Sequence, residues 1–190
     1  MVLVGVCFAK ALPPTRLCAR APSAVRSFEL TPLAPWSKNS GGRRVEARGT
    51  VFVVRTVAST AMFGLKPIWR GKVKVNVSDP TRTILDLLDT PALGGGITSV
   101  LDMLKSYFSS AYRDPKLLIQ YADQLGNKAV LKRLGFLAAT YLPNEAELVA
   151  ECRKRLSAGN AKLDPKLPAD RLVTAWRLLV PAGFPKAPKT

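Results

Sequence analysis

The sequence predicts an α+β fold, with a small group of β-strands packed beside a compact set of about five short helices. Three observations predict it. The stretches 51–57 and 72–77 are rich in Val, and the second alternates Val with Lys or Asn. From Pro80 onward, apolar residues recur at spacings of three and four in five successive blocks. Pro, Gly, Asn or Asp punctuates those blocks, so the connections are short. A chain of 190 residues with 47% hydrophobic residues suits one domain with an extension, and with aromatics at 7% the core must rest on Leu, Val, Ile and Ala.

Each element has its own local reason. Residues 1–50 are expected to form a poorly ordered, basic, Pro/Gly-rich extension, because Pro13, Pro14, Pro22, Pro32 and Pro35 break helices and 36–50 reads as a polar linker. The folded domain is expected over 51–181, with 182–190 as a tail. VFVVRTV at 51–57 is β-branched and apolar, which favours a strand. The following MFGLKPIWRG contains Gly64, Pro67 and Gly71 and reads as a connection anchored by Phe63 and Trp69. KVKVNV at 72–77 reads as a half-buried strand with Val73, Val75 and Val77 inward. Asp79 and Pro80 then start a helix over 81–88, the carboxylate accepting first-turn amides. Ile84, Leu85 and Leu88 point inward, and Arg82 and Asp86 are spaced to pair on the outer face. Pro91 and Gly94-Gly95-Gly96 end that unit.

Four more helices follow. The block 98–109 turns in Val100, Leu101, Leu104, Tyr107 and Phe108. The block 115–125, capped by Asp114 and stopped by Gly126, turns in Leu117, Leu118, Tyr121 and Leu125. Asn127 caps 128–141, with Val130, Leu131, Leu134 and Ala138 inward. Pro143-Asn144 precedes 145–156, with Leu148, Val149 and Cys152 inward. LVTAWRLLV at 172–180 reads as a third strand around Trp176, and the strands at 51–57, 72–77 and 172–180 are expected to associate beside the helices.

Composition narrows the function. The chain contains no His, which removes His-based general base catalysis, the common serine and cysteine triads and most catalytic zinc sites. Lys and Arg number 29 against 13 acids, a net of +16 that suits nucleic acid or another anionic surface; the competing reading is solubility alone. Residues 1–78 hold 13 basic and 2 acidic residues, whereas 79–190 hold 16 and 11. Cys7, Cys18 and Cys152 are odd in number and widely spaced, so neither a disulfide framework nor a metal pair is expected, and the composition suits a reducing, cytoplasmic setting. No apolar run is long enough for a spanning helix, so no membrane partner is expected. The triple Gly has no preceding strand and no following Lys-Ser/Thr, so it is not a phosphate loop. No catalytic, cofactor-binding or metal-binding set is nominated.

VSDPTRTILDLLD at 77–89, GGGI at 94–97, LLIQYADQLGNKAVLKRLGFL at 117–137, KLDPKLP at 162–168 and RLVTAWRLLVP at 171–181 stand in that order. Together they resemble the C-terminal antitoxin domain of the AbiEi family of bacterial type IV toxin–antitoxin systems, over about residues 51–181. The resemblance implies a non-enzymatic antitoxin that counteracts an AbiEii-like nucleotidyltransferase toxin, without requiring a stable complex. It also implies autoregulation through an N-terminal winged helix-turn-helix that binds DNA. Residues 1–50 lack the two-helix apolar pattern of that module, so the resemblance leaves operator binding by this chain open, with DNA a candidate partner. Residues 1–28 have the composition of a transit peptide, with Lys10, Arg16, Arg20 and Arg26 and no acid. Beside a bacterial family, a targeting role for them is discounted.

The candidate contact residues are cations. Lys128, Lys132 and Arg133 are expected to form a basic face opposite Leu131 and Leu134, open to phosphates or an acidic partner, or simply solvated. Arg153, Lys154 and Arg155 cluster at a helix end, where compensation of the macrodipole also explains them. Arg43, Arg44, Arg48 and Arg55 suit a flexible basic arm. Asp79, Asp86 and Asp89 are close enough for a metal or acid/base reading, but capping and pairing with Arg82 account for the first two. The alternatives to an antitoxin are a basic nucleic-acid-binding or transcriptional regulatory protein and a toxin-modifying enzyme. The absent His and the absent acid/base pair count against the enzyme.

Overall fold

The computed structural model describes residues 3–6, 43–47, 50–56, 59–182 and 184. The architecture is α+β, with five α-helices and three small sheets among the described residues. The chain divides into two compact units, Met1–Val77 and Ser78–Thr190.

In the first unit, β1 (Leu3–Val6), β2 (Arg43–Ala47) and β3 (Thr50–Thr56) form an antiparallel sheet in the order β1-β3-β2. Leu3 stands opposite Thr56, and Ala47 opposite Thr50. The run at 51–57 is therefore a strand, as its β-branched composition demands. Within the span 1–50, where a poorly ordered extension is expected, the described segments LVGV and RRVEA pair with β3. A strand needs partners for its backbone N–H and C=O groups, and these two short segments supply them on both edges. The other residues of that span lie outside the described ones, as do those of the tail beyond Phe184.

β4 (Leu65–Arg70) and β5 (Val73–Ser78) make a sheet of their own. Two expectations are corrected here. The segment around Trp69 is a strand and not a connection, because the turn at Gly71-Lys72 folds it directly back on β5. Val75 and Val77 are 40% and 42% exposed, because a two-stranded hairpin has no layer of its own to bury them.

The second unit is helical. α1 (Pro80–Asp89), α2 (Ile97–Phe108), α3 (Pro115–Leu125), α4 (Lys128–Tyr141) and α5 (Ala146–Lys154) follow on short loops. Asp79 accepts from the Arg82 amide at 2.7 Å, Asp114 from Leu117 at 2.9 Å, and Asn127 from Ala129 at 3.0 Å. All three caps stand where the sequence placed them. α4 packs on α1, α3, α5 and the C-terminal strands, and residues 130–138 are all buried. Leu85, Leu88, Leu104, Leu118, Leu131, Leu134 and Leu137 fill the core around it. α3 turns in Leu118, Ile119 and Ala122, while Leu117, Tyr121 and Leu125 are half-buried. It packs against both α1 and α5, so its buried row lies between the two contacts.

The C-terminal strands close the unit. β6 (Ala161–Lys162), β7 (Arg171–Val173) and β8 (Leu178–Val180) have the order β6-β8-β7, the first pair parallel and the second antiparallel. The single strand expected over 172–180 is thus a folded-back pair. A 3₁₀ turn at Thr174–Trp176, followed by Arg177 at φ 49°, reverses the chain and drives Trp176 into the core. The strands at 50–56, 73–78 and 178–180 belong to three different sheets. The expectation that they associate with one another is corrected: among the described residues each pairs within its own sheet.

Candidate functional site

The basic set on α4 does not form the expected exposed face. Lys128, at the helix start, is exposed and stands 3.7 Å from Asp123. Lys132 and Arg133 are buried, with 2% and 5% of their surface exposed. The Lys132 ammonium donates to the Gly159 carbonyl. Burial, and then the neighbouring Arg177, push its pKa down. The Arg133 guanidinium donates to Leu88 O at 2.7 Å, to Asp89 O at 3.0 Å and, through Nε, to Lys162 O at 3.0 Å. Burial lowers its pKa too, against the pull of Asp89 and Asp164, but a guanidinium stays charged at any working pH.

The expectation failed because Lys132 and Arg133, as chain neighbours, point about 100° apart around the helix. Arg133 has Val130 at i−3 and Leu137 at i+4, which places it at the edge of the apolar sector. Two carbonyls at the C-terminal end of α1, of Leu88 and Asp89, and the Lys162 carbonyl of the C-terminal segment lie there, and a planar fork reaches them where a shorter side chain does not.

A second buried charge completes the arrangement. Gly96 stands before α2 at φ 99°, a conformation suited to glycine, and carries no side chain to cap the helix. Asp164 supplies the cap from another segment, with Oδ2 accepting from the Ile97 amide at 3.1 Å and Oδ1 from the Lys166 amide at 3.0 Å. Asn127 Nδ2 donates to Asp89 Oδ1 at 2.6 Å. Sequence reading missed Asp164. Its signal was a helix preceded by glycines alone, which has to borrow its acceptor.

The basic cluster at the end of α5 is also engaged. Arg155 pairs with Asp123 at 2.8 Å and with Glu151, Lys154 pairs with Glu151, and Arg153 lies 5.2 Å from the Trp176 ring centre. The hydrogen bonds from Lys154 and Arg155 hold the Glu151 carboxyl below its ordinary range.

The acidic trio has structural duties. Asp79 caps α1 and accepts from Tyr121 Oη at 3.2 Å, and Asp86 pairs with Arg82 at 2.9 Å. Contrary to the outer-face placement, Arg82 is buried. Among the described residues, no group of three His, Cys, Asp or Glu side chains is placed to hold a metal ion. Tyr107 is a core residue whose hydroxyl meets Thr81 Oγ1 at 3.0 Å and accepts from the Asp114 amide at 2.9 Å. Burial raises its pKa. Tyr112, by contrast, is 65% exposed. No described helix is long and apolar enough to cross a membrane.

A scan against protein-family models finds no match, and comparisons with curated proteins and with solved structures find none either.

Proposed function

We propose that the chain is a non-enzymatic antitoxin of a type IV toxin–antitoxin system, acting in the cytoplasm against an AbiEii-like nucleotidyltransferase toxin. The observation that carries this reading is the ordered set of stretches that resemble the AbiEi antitoxin domain. Their side chains also meet. Arg133 of LGNKAVLKRLGFL bonds to the end of VSDPTRTILDLLD and to Lys162, Asp164 of KLDPKLP caps the helix that starts in GGGI, and Trp176 packs against Gly135. The resemblance thus falls on residues that hold one unit together, as expected of an inherited domain.

Co-expression tests the proposal. The full chain should restore growth to bacteria expressing such a toxin, with no stable complex required. Absence of rescue by protein shown to be folded and abundant overturns it. The alternative reading, a basic nucleic-acid-binding regulator, is favoured by the exposed cations and aromatic ring of the β4–β5 hairpin.

A further inference from the structure

We propose that the β4–β5 hairpin is a contact surface for single-stranded nucleic acid, with Trp69 stacking on a base and Lys72 and Lys74 meeting the flanking phosphates. The inference is independent of the antitoxin reading. Trp69 is the most exposed large apolar residue of the hairpin, at 65%, and Trp is otherwise costly to leave in water. Lys72 and Lys74 are exposed, and neither forms an ion pair among the described residues.

The turn brings these groups together. Gly71 stands at φ 61°, the residue that a two-residue type II′ hairpin puts first. Counting outward from that turn sets Trp69 across from Lys74, with Asn76 further along the same face and Lys72 at the tip. The face therefore offers an aromatic plane, two cations and an amide within one short ladder.

Charge selects the occupant. Between Ala47 and Ser78 the chain has no Asp or Glu, while Arg48, Arg55, Lys66, Arg70, Lys72 and Lys74 fall within it. A protein partner would have to desolvate these cations or match them with a comparable row of acids. A polyphosphate backbone neutralises them directly and releases its counterions. An exposed aromatic ring adds affinity only where the bases are free to stack, which favours a single strand over a duplex. Neither contact reads the sugar, so ribose and deoxyribose strands should bind alike.

The test uses the full chain and three probes of about 12 nucleotides: oligo(dT), oligo(rU) and a duplex of mixed sequence. Fluorescence anisotropy is followed over a salt series from about 50 to 200 mM. Both single strands should bind with similar affinity and the duplex more weakly. Trp69→Ala should weaken single-strand binding about 5–150-fold, and Trp69→Phe should retain most of it. Lys72→Ala with Lys74→Ala should lower the logarithmic salt slope by about 1.4. Circular dichroism confirms that each variant is folded. Duplex binding as tight as single-strand binding overturns the proposal, as does Trp69→Ala binding like the parent. So does a Trp69-dependent dimer in sedimentation without oligonucleotide binding.

Discussion

Arg133 shows how one side chain changes from a surface cation to a structural fastener. Removing it strands the buried carbonyl oxygen of Leu88 and the part-buried ones of Asp89 and Lys162, each worth about 1 kcal/mol or more. Arg133→Ala should therefore lower stability by about 3–5 kcal/mol in urea unfolding, and Arg133→Lys should recover only part, because one ammonium does not span all three acceptors. Lys128→Ala, at an exposed position, should stay within about 0.5 kcal/mol. Equal effects at the two sites would refute the assignment. Cys152 yields a second prediction at this scale. Burial pushes its thiol pKa up to about 12 from an ordinary 9.0. The folded protein thus keeps a proton that the unfolded chain releases. This group's contribution is intact below pH 9.0 and is lost as pH rises from there toward 12. In a background with Cys7 and Cys18 replaced by Ser, iodoacetamide should leave the native protein unlabelled at mildly alkaline pH and label it promptly in denaturant. Rapid native labelling would place the thiol at the surface.

At the scale of elements, the informative cases are helix ends and helix crossings. Three N-caps were legible in the sequence because a cap is a local event: the acceptor precedes its own helix, as at Asp79, Asp114 and Asn127. The cap of α2 was not legible, because Asp164 lies 67 residues from Ile97. Asp164→Ala should cost about 1–2 kcal/mol and speed amide exchange at Ile97, while Asp164→Asn, which keeps an oxygen acceptor, should cost less. Unchanged exchange at Ile97 in the Ala variant would remove Asp164 from that role. α4 meets the C-terminal segment at Gly135, where a Cβ would overlap the Trp176 ring and come within 2.9 Å of Cys152 Cβ. Gly135→Ala should therefore destabilise the protein by about 1–3 kcal/mol, although Ala is the better helix former. A stabilised variant, read by its urea midpoint, would mean that Trp176 packs elsewhere.

For the whole molecule, the two units differ in charge as well as in structure. The boundary at Val77 leaves 13 basic and 2 acidic residues on one side, and 16 basic and 11 acidic residues in a leucine-rich helical unit on the other. A fragment of residues 78–190 should accordingly unfold in one cooperative transition, with near-native helix content by circular dichroism. It should also lose most of the salt-dependent binding to nucleic acid shown by the full chain. A fragment that is molten, or that binds as steeply as the full chain, would contradict this division of labour.

The sequence by itself determined the class of fold, the five helices, most of their inward residues and the caps that start them. These depend on periodicity and on residues adjacent in the chain. It also placed the strand at 51–57, since a β-branched run prefers an extended backbone. Tertiary structure alone decided which strands pair, why 172–180 reverses around Trp176, and where the charges of α4 go. Lys132 and Arg133 have the composition of a solvated surface. Whether such a chain ends in water or against carbonyl groups depends on what lies opposite, and here the opposing acceptors, Leu88, Asp89, Gly159 and Lys162, come from distant segments. A buried cation is stable only where acceptors of that kind converge on it, and convergence is a property of the folded chain.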